Sequence, residues 1–496
     1  MTDVQVQDLT PEQKPIKGGR LKSFVDDRET LKGKRFIFTV AQNNTKLHDE
    51  FWATLTRMAK KRKAKLYVSQ CTYNKKGWQR ITRDSLTVDG THDTEGLWYD
   101  ARIEPHVLNE QVKVAEGLLF CGELDILPTA VLPLSGLSNY SGPHSAIVPH
   151  VKMQMESLAT MKHQDAKFMY TTGAVTMRNY INRRAGQIAE YHHVYGAIYV
   201  EVDKDGRWFA RQLNADENGV VFDLERVWGP TWDAPAKEFG RPVITLGDVH
   251  YEKRSASAMF GAVHMIDRLN PETVFLHDLI DFKYRNHHNI KDPHFLFSQA
   301  ARGEESVKHA VEQTAEWLFG LAKRFPKTKF VVVKSNHDEA LDRWLKDVSA
   351  ASDPHNALYW HELNTVVLAG LKYGNTIDPL EFAIECEWGG NADNVQFLRA
   401  DQSYVINGIE YGMHGHYGPN GARGSAKNFR QLGVRVCHGH THSAGIIDGI
   451  YTAGVLGDLD MGYNKGPSSW SHSHILTYSN GKRTIITQQS NGDWRA

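Results

Sequence analysis

The sequence has no run of about 18 consecutive apolar residues, the length a helix needs to cross a bilayer, so no membrane partner is expected. It has no CxxC pair either. Its four cysteines, Cys71, Cys121, Cys386 and Cys437, lie far apart. That spacing argues against a disulfide framework and a thiolate zinc site, and it fits a reducing compartment such as the cytoplasm. Charge of one sign is missing as well. Lys plus Arg is 58 and Asp plus Glu is 58, so nothing global draws the chain to nucleic acid, and any such contact must use local patches. The first residues, MTDVQVQDLTPEQKPIKGGR, lack the apolar core of a targeting signal, and residues 1–30 read as a flexible polar tail.

What is abundant is histidine, with 25 residues, many of them after position 245. Histidine is the commonest metal ligand and the usual proton carrier at neutral pH. Before that region the pattern is that of an α/β protein. RFIFTVAQ (35–42) reads as a buried strand, residues 48–64 as an amphipathic helix and KLYVSQCTY (65–73) as a second strand, a parallel βαβ unit. Further strands are expected at 117–124, 166–173 and 196–203, the last turning at DKDG into a hairpin with RWFARQL. Residues 31–230 are therefore expected to form an α/β domain of their own, which could also serve a homo-oligomer. The Pro- and Gly-rich segment 231–242 reads as a linker.

From 243 onward, short apolar stretches run five times into metal-ligand residues. VITLGDVH ends in Asp248 and His250, two apart and so on one side of an extended chain. TVFLHDLIDF carries Asp278 and Asp281, and KFVVVKSNHDEA carries Asn336, His337 and Asp338. YGMHGH supplies His414 and His416, and VRVCHGHTH supplies His438, His440 and His442. Ligands at the carboxyl ends of strands in an open sheet converge on one crevice. Oxygen and imidazole donors suit Mn²⁺, Fe or Zn²⁺. Each pair alone is commonplace, since a strand-end Asp is often a cap or a turn residue. The ordered set is what carries the inference. His277, His287, His288, His472 and His474 read as neighbours or structural residues, His438 as pointing away from the ligand side, and His192 and His193 as ordinary.

The order D-x-H, D-x-x-D, N-H-D, H, G-H-x-H resembles the calcineurin-like metallophosphoesterase superfamily over residues 243 to about 480. The resemblance implies an αββα four-layer sandwich over 243–496. It also implies two divalent metal ions, with Mn²⁺ the first choice and Mg²⁺, Fe or Zn²⁺ the alternatives. One ion would take Asp248, His250 and His442, the other Asn336, His414 and His440, with Asp278 shared. His337 resembles the family's catalytic histidine and Asp281 the carboxylate that orients it. In that mechanism a hydroxide bridging the metals attacks phosphorus, and His337 gives the leaving oxygen a proton. Three positions depart from the pattern. His277 and Ser335 stand where the family has Gly, and Phe282 stands where phosphoprotein phosphatases have a phosphate-gripping Arg.

For the substrate, the site resembles SbcD-type DNA nucleases, and the whole chain resembles phage-encoded metallophosphoesterases that degrade host DNA. DNA is the expected partner, in the host cytoplasm. The alternative is a small-molecule phosphatase or cyclic-nucleotide phosphodiesterase, and a binding scaffold with a silent site is a third reading. Three basic runs could meet phosphates: Lys60, Lys61, Arg62, Lys63 and Lys65; Arg178, Arg183 and Arg184; Arg423, Lys427 and Arg430. The third follows His416 directly, so His416, Arg423 and Lys427 are the expected substrate contacts.

Overall fold

A computed structural model of the chain describes residues 28–73, 98–162, 164–286 and 289–496. The expected tail lies outside them up to residue 27, as do His287 and His288. Residues 28–30 are held, with Thr30 bridged to Lys113. The fold is mixed α/β. No helix of the described residues is long and apolar enough to cross a membrane.

The βαβ unit forms as its pattern predicts. The strand Arg35–Gln42 lies parallel to Lys65–Cys71, and the helix Asp49–Arg62 joins them. Phe51, Leu55 and Met58, spaced four and three apart, face the sheet and are fully buried. Asp49 and Glu50 begin the helix and Lys60 to Arg62 end it, the arrangement the helix dipole favours. The hairpin Gly196–Val202 with Trp208–Asn214 completes a four-stranded sheet.

A six-stranded sheet carries the later motifs. Its order is Val395–Phe397, Lys329–Val333, Thr273–His277, Val243–Thr245, Ser473–Thr477, Arg483–Thr487. The first four strands run parallel, so their carboxyl ends share one edge. Alternate residues serve two cores. Ile244, Val274, Leu276, Phe330 and Val332 meet the helices Ala256–Leu269, Val307–Arg324 and Pro379–Trp388. Val243, Phe275, Val331 and Val333 face the other way, towards Phe120, Ile147, Tyr170, Tyr411 and Tyr451. Those partners belong to or adjoin a ten-stranded sheet, so the order of layers is helix, sheet, sheet.

That ten-stranded sheet overturns the expected division at 231–242. Five of its strands come from residues 405–452 and five from residues 111–171. The two sets join where Ile446 pairs with Met155. The hairpin is tied across as well, by Asn214 Nδ2 donating to the Arg483 carbonyl (2.7 Å) and by Gln212 bonding Thr484. One hydrophobic cluster includes Phe36, Phe38 and Ile198 alongside Phe275 and Ile475. The segment read as a linker pairs Asp233–Pro235 with Arg226–Trp228. Pro and Gly mark where a chain turns; they do not report whether the turn is packed.

Candidate metal centre

The parallel strands place three ligand groups at one edge. Thr245 leads to Asp248 and His250, His277 ends at Asp278, and Val333 leads to Asn336. In the opposing sheet, Arg435–His438 leads to His440 and His442. All seven expected ligands converge. Asp248, His250, Asp278 and His442 offer donor atoms within 4.8 Å of one another. His250 Nε2 lies 3.0 Å from His442 Nε2, and His442 Nε2 lies 3.2 Å from Asp248 Oδ2. On the other side, Asn336 Oδ1 is 2.9 Å from His414 Nε2 and 3.0 Å from His440 Nδ1. A single oxygen, Asp278 Oδ2, joins the halves, 3.5 Å from His250 Nε2 and 3.3 Å from His414 Nε2.

The electrostatics fit a cation. Burial lowers His440 and His442 to about 4 and holds His250 and His414 below the ordinary imidazole range, so all four are neutral and present lone pairs. Burial, with the charge of Asp278, raises the Asp248 carboxyl well above its usual range. Two carboxylates buried side by side need a positive charge between them. The donor atoms that face one another, Asp248 Oδ2 and the Nε2 atoms of His250, His414 and His442, meet at 3.0–3.5 Å with Asp278 Oδ2 between them. The buried His/Asp groups can therefore hold a metal ion.

Backbone strain marks the same place. His250, Asp278, His440 and His442 have φ of 44°, 43°, 79° and 59°. A left-handed non-glycine residue costs on the order of 1–3 kcal/mol and is kept where its surroundings over-determine it. Gly439 is required by close approach, because a Cβ there would lie 2.0 Å from Asp248 Oδ1. Ser335 is held on both sides. Its hydroxyl accepts from the Asp278 amide (2.8 Å) and donates to Asp338 Oδ2. His277 is buried with neither ring nitrogen bonded among the described residues.

His337 lies beside the cage, its ring 4.5 Å from that of His250. Its amide donates to Asp278 Oδ1 (3.0 Å), and Nδ1 is 2.9 Å from the Asp281 carbonyl and 3.5 Å from Asp281 Oδ1. Burial opposes a charge on this ring, but Asp278 and Asp281 outweigh it, and its pKa is raised. Asp281 Oδ1 also meets His250 Nδ1 at 3.0 Å, and Oδ2 meets Lys253 Nζ at 3.1 Å.

Asp338, the last residue of the N-H-D motif, supports the cage: it accepts from the Ile280 amide and is pushed to about 8 by burial and Asp278. Three further supporting residues escaped sequence reasoning. Glu252 accepts from the Asp281 amide and is pushed to about 7 by burial and Asp281. Trp470 packs its ring 4.2 Å from His442, and Tyr463 stands 6.4 Å from His337. None of the three carries a motif, because partners distant in the chain define each role. His474, read as structural, accepts from the Gly247 amide (2.9 Å) and so braces the Asp248 turn. His472 bonds the Val455 carbonyl and His438 bonds Thr452 Oγ1, both facing away from the ligands.

Among the expected substrate contacts, His416 lies 5.3 Å from His414, with Nε2 3.5 Å from Glu339 Oε1. It lines a cavity of about 270 Å³ with Lys334, His414 and Tyr417. Arg423 and Lys427 are exposed, and the charge of Arg423 reaches His440. Part of the basic charge is spoken for, while Lys60, Lys63, Lys65, Arg183 and Arg184 stand exposed. Arg62 pairs with Asp223 (2.6 Å) and lies over Tyr199 and Trp228. Lys61 pairs with Asp233, Arg178 with Glu217, and Arg430 with Asp448. Each is absorbed by a carboxylate that sequence spacing could not pair with it.

No family model matches the chain. A curated relative, Protein A1 of Escherichia phage T5, is 39% identical over 491 residues, covering 96% of this chain and 85% of its own. Among solved structures, one crystal structure aligns with 50% of this chain and 98% of its own at 10% identity. Its TM-score of 0.26 is too low to bear on the fold.

Proposed function

The chain belongs to the family of Protein A1 of Escherichia phage T5, and from the geometry of its buried cage we propose that it is a dinuclear metal-dependent phosphodiester hydrolase whose substrate is DNA. One observation carries the reading. Asp278 Oδ2 is reached from both sides, by His250 with Asp248 and His442, and by His414 with Asn336 and His440. A carboxylate oxygen shared by two ligand sets is what a pair of cations needs. The facing sheets and the one outer helix layer correspond to three of the four layers of the αββα sandwich of calcineurin-like metallophosphoesterases.

Asp248, His250 and His442 would hold one ion, Asn336, His414 and His440 the other, with Asp278 between. Two such ions, Mn²⁺ by first choice, supply a water-derived nucleophile at neutral pH and neutralise charge on the phosphoryl group. The protein does the rest. His337 donates Nδ1–H to the Asp281 carbonyl, which leaves Nε2 as the atom that carries a proton to the departing alkoxide. Asp278 and Asp281 favour the protonated ring against the cost of burial. Arg423 and Lys427 are exposed, the charge of Arg423 reaches His440, and both would meet the backbone phosphates of a strand.

The test is digestion of plasmid DNA by the purified protein with Mn²⁺, with EDTA, and as the Asp248→Ala variant, alongside hydrolysis of bis-p-nitrophenyl phosphate. Degradation of the plasmid that needs both metal and Asp248 is expected. Turnover of the small ester with intact plasmid would point instead to a small-molecule phosphodiesterase using the cavity beside His414.

A further inference from the structure

The loop 458–470 forms one wall of the cage, and the cage itself does not account for its aromatic residues. The loop is braced at both ends. The Asp458 amide donates to the Lys253 carbonyl (2.7 Å), and the Ser468 amide to the Thr160 carbonyl (2.8 Å). Inside it, Asn464 Oδ1 accepts from the Met461 amide (3.0 Å) and Asn464 Nδ2 donates to the Leu459 carbonyl (2.8 Å). Asp460 accepts from Lys162 Nζ (2.6 Å). This bracing raises Tyr463, which keeps 41% of its surface exposed while its ring lies within 29° of the His337 plane. Trp470 stands edge-on to Tyr463 at 5.9 Å and covers His442. Lys253 Nζ, which pairs with Asp281, lies 4.8 Å from the Tyr463 ring. A braced, partly exposed aromatic pair thus stands next to His337.

We propose that Tyr463 and Trp470 form a base-stacking subsite, so that DNA enters as a single strand with one unpaired base seated on Tyr463 beside the phosphate to be cleaved. The proposal rests on the nuclease reading above. Its physics is that a base offers its π-face only when it has left the duplex stack, and aromatic side chains bind that face without regard to sequence. Exposed basic residues such as Arg423, whose charge reaches His440, would hold the backbone, so both halves of a nucleotide would be gripped.

The experiment compares kcat/KM, with Mn²⁺, for a short single strand, its blunt duplex, and a series of single strands in which one abasic residue is walked along the sequence. For the wild-type protein, cleavage of the single strand is expected to exceed that of the duplex. Loss of the base at one position relative to the cut should lower kcat/KM about 10-fold. Tyr463→Phe and Trp470→Phe should keep that ratio, and Tyr463→Ala should bring it close to one, with the loss in KM more than in kcat. An abasic walk without position dependence in the wild-type protein overturns the proposal while leaving a nuclease. A full ratio retained by Tyr463→Ala overturns it too. Hydrolysis of bis-p-nitrophenyl phosphate with no cleavage of any strand overturns both the subsite and the nuclease reading.

Discussion

At the scale of single residues, the rings of the centre are tuned in opposite directions. Burial lowers His250, His414 and His442, and the half-buried His440 with them, whereas Asp278 and Asp281 raise His337. Proton donation to a leaving group contributes about 10²–10⁴-fold to a rate. His337→Ala is therefore expected to lower kcat by that order while retaining metal, as measured by steady-state kinetics with metal titration by calorimetry. His337→Gln should be as slow, since an amide cannot give up a proton. A substrate with a p-nitrophenolate leaving group, which needs little protonation, should be affected least.

At the scale of elements, strand ends and tight turns decide whether the ligands meet. Gly439 separates the strand Arg435–His438 from two ligands in left-handed backbone. Gly439→Ala would push a methyl group against Asp248 Oδ1. The protein is expected to keep its far-UV circular dichroism, to bind metal at least 10-fold more weakly, a rough estimate from the sensitivity of metal sites to ligand support, and to lose most activity. Normal metal affinity in that variant would show that the close approach is not needed. The charged network behind the helix Asp49–Arg62 is a second test at this scale. Arg211 and Arg62 both pair with the fully buried Asp223. Asp223→Ala leaves Arg62 without a carboxylate and Arg211 with Glu201 alone, and a loss of about 3 kcal/mol is expected in urea unfolding.

At the scale of the whole molecule, the ten-stranded sheet makes the two halves one folding unit. Residues 243–496 expressed alone would leave Gly445–Ile447 without its neighbour Met155–Leu158 and would uncover the cluster around Phe275 and Ile475. That fragment is expected to be insoluble or to lack near-UV circular dichroism. Acid sensitivity also belongs to this scale. Burial lowers His150 to about 4 and His193 well below its ordinary value. Both rings are kept neutral with both nitrogens bonded, His150 by the Lys152 amide and the Leu127 carbonyl, His193 by Tyr180 and the Thr176 carbonyl. Below pH 6.5 the unfolded chain takes up protons that the folded one refuses, so stability falls as pH drops from about 6.5 towards 4, by about 1.4 kcal/mol per pH unit for each such ring. Thermal midpoints at pH 7 and pH 5 should show the loss, and His193→Gln should lessen the difference between them.

The ligand set was legible in the amino-acid order because each ligand follows its own apolar strand, and local alternation with a strand-end polar residue is a short-range pattern. The βαβ unit and the 196–214 hairpin were legible for the same reason. The domain boundary was not, since pairing Ile446 with Met155 joins residues 291 positions apart and leaves no trace in local composition. Nor were Glu252, Tyr463 and Trp470, whose roles come from partners in other segments. Of the residues that could meet phosphate, local charge could name the runs, but only packing separated Arg62, given over to Asp223, from Arg423, left exposed beside the cage. Covalent order sets which donors stand at which strand ends. Whether they face one another, in left-handed turns against a glycine with no room for a methyl group, depends on how two sheets close together.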